Sequence, residues 1–366
     1  MKKIDYTNNI VGISNSILRY FGLSTLNESD SLVDEYLKEN QPENIILILC
    51  DGLGYNYLNN NFNKDLFMIK NQIKSLSSVF PTTTVAATTS VLTGLYPNQH
   101  CWLGWDNYIS EIDKVITMFL NKEKDTDNYL KVPDYCKKIF PYKTILDYIN
   151  ESDIAKSFFV SPYADIKYNN FEDMCNKIKS ICDKSGKKFI YAYYENPDAL
   201  MHKYGLNSQE VDENILMIDN EVEKLNNMLK ESVVMIIADH GLTNNKYIYI
   251  EDDKELFDCL AHTTSIDSRA AMMFLKKDMK EKFLSIFEKK YGNDFILISR
   301  KDIIENKLFG IGNNHEKFES CLGDYIAISI SNVSLKYKRI GHKLLANHSG
   351  LTSDEVDVPL ILTKTR

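Results

Sequence analysis

An α/β fold with a mainly parallel central sheet and helices on both faces is predicted by three observations. Short β-branched runs end abruptly in polar residues, helical patterns separate those runs, and aspartates stand directly after two of them. Asn44–Cys50 precedes Asp51, Lys188–Tyr194 precedes Glu195, and residues 233–238 precede Asp239. Continuous apolar runs of this length read as strands buried on both faces, as in a parallel sheet. Residues 144–150, 171–182 and 208–230 carry helical periodicity, so strand and helix alternate in the manner of right-handed crossovers. Sheets of this kind hold their ligands outside the carboxyl ends of strands, where Asp51 and Asp239 fall.

From 270 to 338 the texture changes. Residues 269–275 read as a strand, 279–290 as a helix, and 324–330 with 333–337 as a hairpin around Ser331-Asn332. This segment is expected to form a small α+β cap inserted into a catalytic domain made of 1–269 and 339–366. The polar stretch 106–142 is expected to be a long loop or lid beside the site.

Composition narrows the function. The chain has 366 residues, 44% of them hydrophobic, enough for a large core. A net charge of −8 leaves no general basic field for nucleic acid, so a phosphate-bearing substrate must be attracted locally. The longest aliphatic run, Ile45 to Cys50, is too short to span a bilayer. Seven cysteines without CxxC spacing read as reduced thiols of a cytoplasmic protein.

Five stretches carry chemistry. Asp51 follows its strand and is succeeded by Gly52-Leu53-Gly54, a backbone able to turn tightly; taken alone, such an aspartate equally serves as a helix cap. In FPTTTVAATTSVLTGLYP, Pro81 ends an extended segment and small residues after Thr84 suit a close-packed helix ending before Gly94. A threonine hydroxyl at that helix start lies where amide groups and the dipole favour an anion. Bound to a divalent cation, it can ionise near neutral pH and become a nucleophile. In NPDALMHKYG, Asp198 and His202 stand four apart on one helical face. Asp239-His240-Gly241 and Asn347-His348-Ser349 add further ligand-capable loops.

These stretches resemble the alkaline phosphatase superfamily, in its branch of bacterial type I phosphodiesterase and nucleotide pyrophosphatase-like proteins. CDGLG, the FPTTT…TGLYPNQH segment, NPDALMHKYG, ADHGLT and NHSGLT occur in the family's order from residue 50 to 352. The resemblance implies an alkaline phosphatase-like fold and a hydrolase with two divalent metal ions. Asp198, His202 and His348 would hold one ion; Asp51, Asp239 and His240 would hold the other, with Thr84 on it as nucleophile. Thr83 is the alternative nucleophile. An oxygen and nitrogen donor set without cysteine suits zinc, with manganese the alternative.

The reaction so implied is cleavage of a phosphodiester or pyrophosphate bond in a small substrate through a phospho-threonine intermediate. Two divalent ions, three carboxylates and an alkoxide sum to a nearly neutral site, which accepts a diester monoanion without further help. A monoester dianion would want another cation, and Arg269 and Lys203 are the nearest by sequence. A phosphomonoesterase, a phosphonoacetate hydrolase-like enzyme and a catalytically silent relative are the alternatives. Val85-Ala86-Ala87-Thr88 replaces the family's Phe-Pro-Asn-His, so Asn107 or Tyr108 would have to supply the lost substrate contacts. Trp102 and Trp105 are both expected to be packing residues.

Overall fold

The computed structural model describes residues 2–365. Its central sheet runs Gln72–Ser77, Asp357–Lys364, Ser232–Ile237, Asn44–Cys50, Lys188–Tyr194, Lys156–Val160. The last four of these are mutually parallel, and Asp357–Lys364 runs antiparallel to both of its neighbours. Asn44–Cys50 is buried along its whole length, which is why it reads as an unbroken apolar run. Two groups of helices cover the sheet: Ile10–Tyr20 packs with Ser31–Asn40 and Thr84–Thr93, and Phe171–Cys182 packs with Gln209–Met228.

Strand register sets the site. Leu49 pairs with Ile237, so two further residues on each strand bring Asp51 level with Asp239. Cys50 pairs with Tyr194 on the other side, and the Asp198–Tyr204 helix begins four residues later. The amide of Asp198 donates to the carbonyl of Asp51 at 3.0 Å, which closes the triangle.

A second sheet of seven strands is antiparallel throughout: Phe295–Ser299, Tyr325–Ser329, Ala270–Met273, Ser265–Asp267, Asp106–Ile109, Lys114–Thr117, Lys122–Glu123. Along Ala270–Met273, Ala270 and Met272 enter one apolar cluster and Ala271 and Met273 another, the period of a strand buried on both faces. This sheet extends beyond the segment read as an insertion and joins it to 106–123. The stretch 106–142 is therefore not a structureless loop: it supplies three strands and the helix Tyr135–Ile139.

The hairpin expected around Ser331-Asn332 does not form. Tyr325–Ser329 pairs with Ala270–Met273 and Phe295–Ser299, while Val333–Lys336 leaves to run parallel to Lys246–Tyr249. Both edges of Tyr325–Ser329 are already taken, and the connection that follows wraps Arg269, which is fully buried. Its guanidinium donates to the carbonyl oxygens of Ser331 and Val333 at 2.8 and 3.2 Å, taking up the turn's acceptors. It also grips both oxygens of buried Glu355 at 2.6 and 2.9 Å. Glu355 accepts in addition from the amides of Gly350 and Thr352, so this pair pins the loop that carries His348.

Removing one partner of a buried pair leaves the other charge uncompensated. Arg269→Met should lower the free energy of unfolding by ~3–5 kcal/mol, measured by urea denaturation. Lys203→Met, at an exposed lysine, should change it by less than about 0.5 kcal/mol.

Candidate metal centre

Asp51, Asp239, His240 and His348 follow the ends of strands, while Asp198 and His202 lie within the Asp198–Tyr204 helix. Gly52 adopts φ +76°, and a Cβ there would fall 2.7 Å from the Cβ of Asp198. Only glycine lets the Asp51 turn and the Asp198 helix approach so closely. Asp239 Oδ1 accepts from the amides of Gly52 and His240 at 3.1 and 3.0 Å, leaving Oδ2 to face Asp51 and the imidazole.

All three histidines are oriented alike. The Nδ1 atoms of His202, His240 and His348 lie 2.8, 3.2 and 3.1 Å from the carbonyl oxygens of Ala346, Gly241 and Thr82. A carbonyl can only accept, so each Nδ1 carries a proton and, in the neutral imidazole, leaves the Nε2 lone pair facing inward. Burial lowers the His240 pKa to about 3 and that of His348 well below its ordinary value, keeping both neutral. His202 differs: burial opposes its protonation, but the Asp198 carboxylate 3.2 Å away outweighs it and raises the pKa to about 9. Burial likewise opposes the Asp198 charge, yet His202 and His348 hold that carboxyl below its ordinary range.

Two groups of donors emerge. Asp51, Asp239 and His240 offer atoms within 4.8 Å of one another, and so do Asp198, His240 and His348. The His240 Nε2 thus belongs to both, while His202 reaches the centre through Asp198. Thr84 opens the Thr84–Thr93 helix, and its Oγ1 sits 3.1 Å from His240 Nε2. All seven residues named from the sequence converge here. Thr83, the alternative nucleophile, is turned away and donates to Asp267 at 3.1 Å.

The donors fit metal ions. Asp51 Oδ1, Asp198 Oδ1 and Asp239 Oδ2 are buried with no hydrogen-bond partner, an arrangement that costs free energy unless a cation meets them. Among the described residues, no lysine or arginine lies within ion-pair distance of Asp51 or Asp239. Burial and the neighbouring carboxylates raise the Asp51 pKa well above its ordinary range, and burial with Asp198 raises that of Asp239 to about 7.

Beside the centre lies an open cavity of about 790 Å³, lined by Thr84, Asp198 and His348 together with Trp105, Lys124 and Lys336. Trp105 is 40% exposed and lines the cavity while its ring meets Phe119 edge-on at 6.1 Å, whereas the Trp102 indole is buried and donates to the Phe140 carbonyl. Asn107 is buried and bound to the Cys101 carbonyl, and Tyr108 donates to Asp113, so neither faces the cavity. Arg269 and Lys203 do not face it either.

Tyr193 was not singled out from the sequence. Its hydroxyl donates to Asp51 Oδ2 at 2.6 Å, and burial next to that carboxylate pushes its own pKa up, so it stays a donor. The signal was present in the alternation of Lys188–Tyr194, but only the register with Asn44–Cys50 reveals which tyrosine meets Asp51. Asp267 was missed for the same reason.

A family model described as type I phosphodiesterase / nucleotide pyrophosphatase matches residues 45–294. Bis(5'-adenosyl)-triphosphatase ENPP4 of Pongo abelii is 28% identical over 257 residues, covering 62% of this chain and 52% of that protein. The Homo sapiens protein of that name is 27% identical over the same span. The chain therefore spans about half the length of the curated relatives it matches. Murine ectonucleotide pyrophosphatase / phosphodiesterase 5, solved with AMP, superposes with a TM-score of 0.65 at 19% identity, covering 86% of this chain and 87% of that one. Its human counterpart gives 0.65 at 18% identity, covering 87% of each chain. At such identity the likeness establishes a common fold.

Two outcomes test the centre. Chelation should lower the melting temperature and added zinc should restore it, because a cation removes the repulsion among buried carboxylates. In chelator, the fold binds a proton on Asp239 that the unfolded chain releases near 3.8. The stability from that proton is full at low pH and is lost as pH rises through about 7. Asp239→Asn should therefore melt higher than the parent in chelator, by a margin that grows from about pH 4 and levels off above about pH 7. With zinc present the order should reverse.

Proposed function

The chain belongs to the type I phosphodiesterase / nucleotide pyrophosphatase family, and from that premise we propose that it hydrolyses phosphodiester or pyrophosphate bonds with Thr84 as nucleophile. The observation that carries this reading is the position of the Thr84 hydroxyl. It stands at the first residue of a ten-residue helix that no side chain caps, 3.1 Å from His240 and beside three orphaned carboxylate oxygens.

Asp51, Asp239, His240 and Thr84 would hold one divalent ion, and Asp198, His202 and His348 the other, zinc first and manganese as the alternative. Bound there, such ions neutralise the carboxylates, ease ionisation of the threonine hydroxyl and polarise the phosphoryl oxygens. Thr84 Oγ1 forms a bond to phosphorus as the bond to the departing oxygen breaks, and the departing group takes up a proton. Water then attacks the phospho-threonine, restores the hydroxyl and releases the phosphate product. The free amides at the helix start and the helix dipole hold the phosphoryl oxygens meanwhile.

A diester or pyrophosphate is favoured over a monoester by charge. The two cations singled out from the sequence are unavailable: Arg269 is locked to Glu355, and Lys203 is exposed outside the cavity. Lys124, which does line the cavity, is held by Asp106 at 3.0 Å. Lys336 has no carboxylate within ion-pair distance among the described residues and stands over the Tyr247 ring at 5.4 Å. It is the cation that a monoesterase would use. The relatives' names and the AMP complex make dinucleoside polyphosphates and nucleotide diesters the first substrates to test. All seven cysteines are unpaired and six are buried, which suits the cytoplasmic setting expected for the chain.

Zinc-loaded protein should cleave an aryl phosphodiester faster than the matched monoester. Thr84→Ala should abolish turnover, a loss of at least about 10³-fold, while metal content by elemental analysis stays close to the parent's. Undiminished turnover in that variant would remove Thr84 from the reaction.

A further inference from the structure

Thr83 occupies the N-cap position of the Thr84–Thr93 helix in extended conformation, φ −134° and ψ 145°, yet its side chain makes no cap hydrogen bond. This is unusual for a threonine, whose hydroxyl ordinarily accepts from the second or third amide of the helix, here Val85 or Ala86. The hydroxyl instead donates to Asp267 Oδ2 at 3.1 Å. Asp267 is fixed in turn by the Ser268 amide, which donates to Oδ1 at 2.6 Å.

The chain around Asp267 is shaped to hold it there. Ile266 is 1% exposed and sits at φ +74°, a conformation that a β-branched residue adopts only under constraint. It is held from both sides, paired with Ala271 on one strand and Asp106 on the other. Gly104 passes over it so closely that a Cβ there would lie 2.8 Å from the Ile266 carbonyl oxygen. Strain of this kind, maintained by two neighbouring strands, marks a side chain whose direction matters.

Building on the phosphoryl-transfer reading above, we propose that Asp267 is a positioning residue that keeps the phosphate-binding helix terminus open. By accepting the Thr83 hydroxyl proton, it draws that hydroxyl away from the amides of Val85 and Ala86. Those amides then remain available to the phosphoryl group carried on Thr84. Without Asp267, Thr83 caps its own helix and competes with substrate for the same donors. Asp267 lies in the cavity lining, and its effect on the helix terminus runs through Thr83.

The test is a double-variant cycle read by calorimetric titration of inorganic phosphate into zinc-loaded protein, with metal content measured alongside. Asp267→Ala should weaken phosphate binding roughly fivefold, the value of one threonine cap. Adding Thr83→Val, which removes the competing hydroxyl, should return affinity to within about twofold of the parent. Diester turnover should follow the same order, with kcat falling and recovering. Unchanged affinity in Asp267→Ala, or a double variant as weak as the single one, overturns the proposal. So does loss of metal from Asp267→Ala, because Asp267 would then be holding the ligand loops. Should that variant fail to fold, Asp267→Asn carries the same cycle. Its amide oxygen is a weaker acceptor, so a loss of about threefold is expected, cancelled by Thr83→Val. If the parent cleaves no diester while the phosphate pattern holds, the reaction assigned above fails and the role of Asp267 stands.

Discussion

Asp51, Asp198 and Asp239 are buried against one another with no lysine or arginine among the described residues to neutralise the cluster. Like charges in a low-dielectric interior repel strongly, and each carboxylate also loses its hydration. Such a cluster persists only because elements stabilised elsewhere deliver it. Three parallel strands with continuous apolar runs fix the ends from which the aspartates project, and Gly52 allows two of those ends to meet. Backbone carbonyls aim three imidazoles at the same point. Stability of the core is spent on a site that wants positive charge, the signature of a centre organised for cations.

The second sheet serves the first through two polar contacts of different kinds. Arg269 and Glu355 form a buried bidentate pair that ties the strand at Ala270 to the loop bearing His348. Asp267, two residues earlier, reaches the turn bearing Thr84. One short segment thus anchors both the loop bearing His348 and the start of the Thr84–Thr93 helix. Both contacts act on the geometry of the candidate centre, where displacements of an ångström matter.

Around the cavity the chain departs from the family's pattern more than it does at the donor cluster. The centre retains a full donor set, while the Phe-Pro-Asn-His stretch is replaced by small residues packed into the Thr84–Thr93 helix. Asn107 and Tyr108 do not compensate, since neither lines the cavity. The cavity is lined instead by Trp105, just before the Asp106–Ile109 strand, and by Tyr247 and Lys336 of the small two-stranded sheet. These surfaces arise outside the motifs that define the chemistry.

The fold class, the buried strands, the helices at 84–93, 145–151, 171–182, 209–228 and 280–291, and the seven residues that meet at the candidate centre were legible in the sequence. Each of these rests on a local signal: an apolar run, a helical period, or an aspartate or histidine placed where an element ends. What the sequence left open depends on which strand lies beside which. The strands within 106–142, the failed hairpin at Ser331-Asn332, Tyr193 on Asp51 and Arg269 on Glu355 all join residues distant along the chain. Trp102 and Trp105 are three residues apart with the same chemistry, yet one is buried and the other faces the cavity. Local pattern determines what a segment can become. Register, burial and the competition for buried hydrogen-bond partners are settled only when segments meet, and the tertiary structure alone decided those.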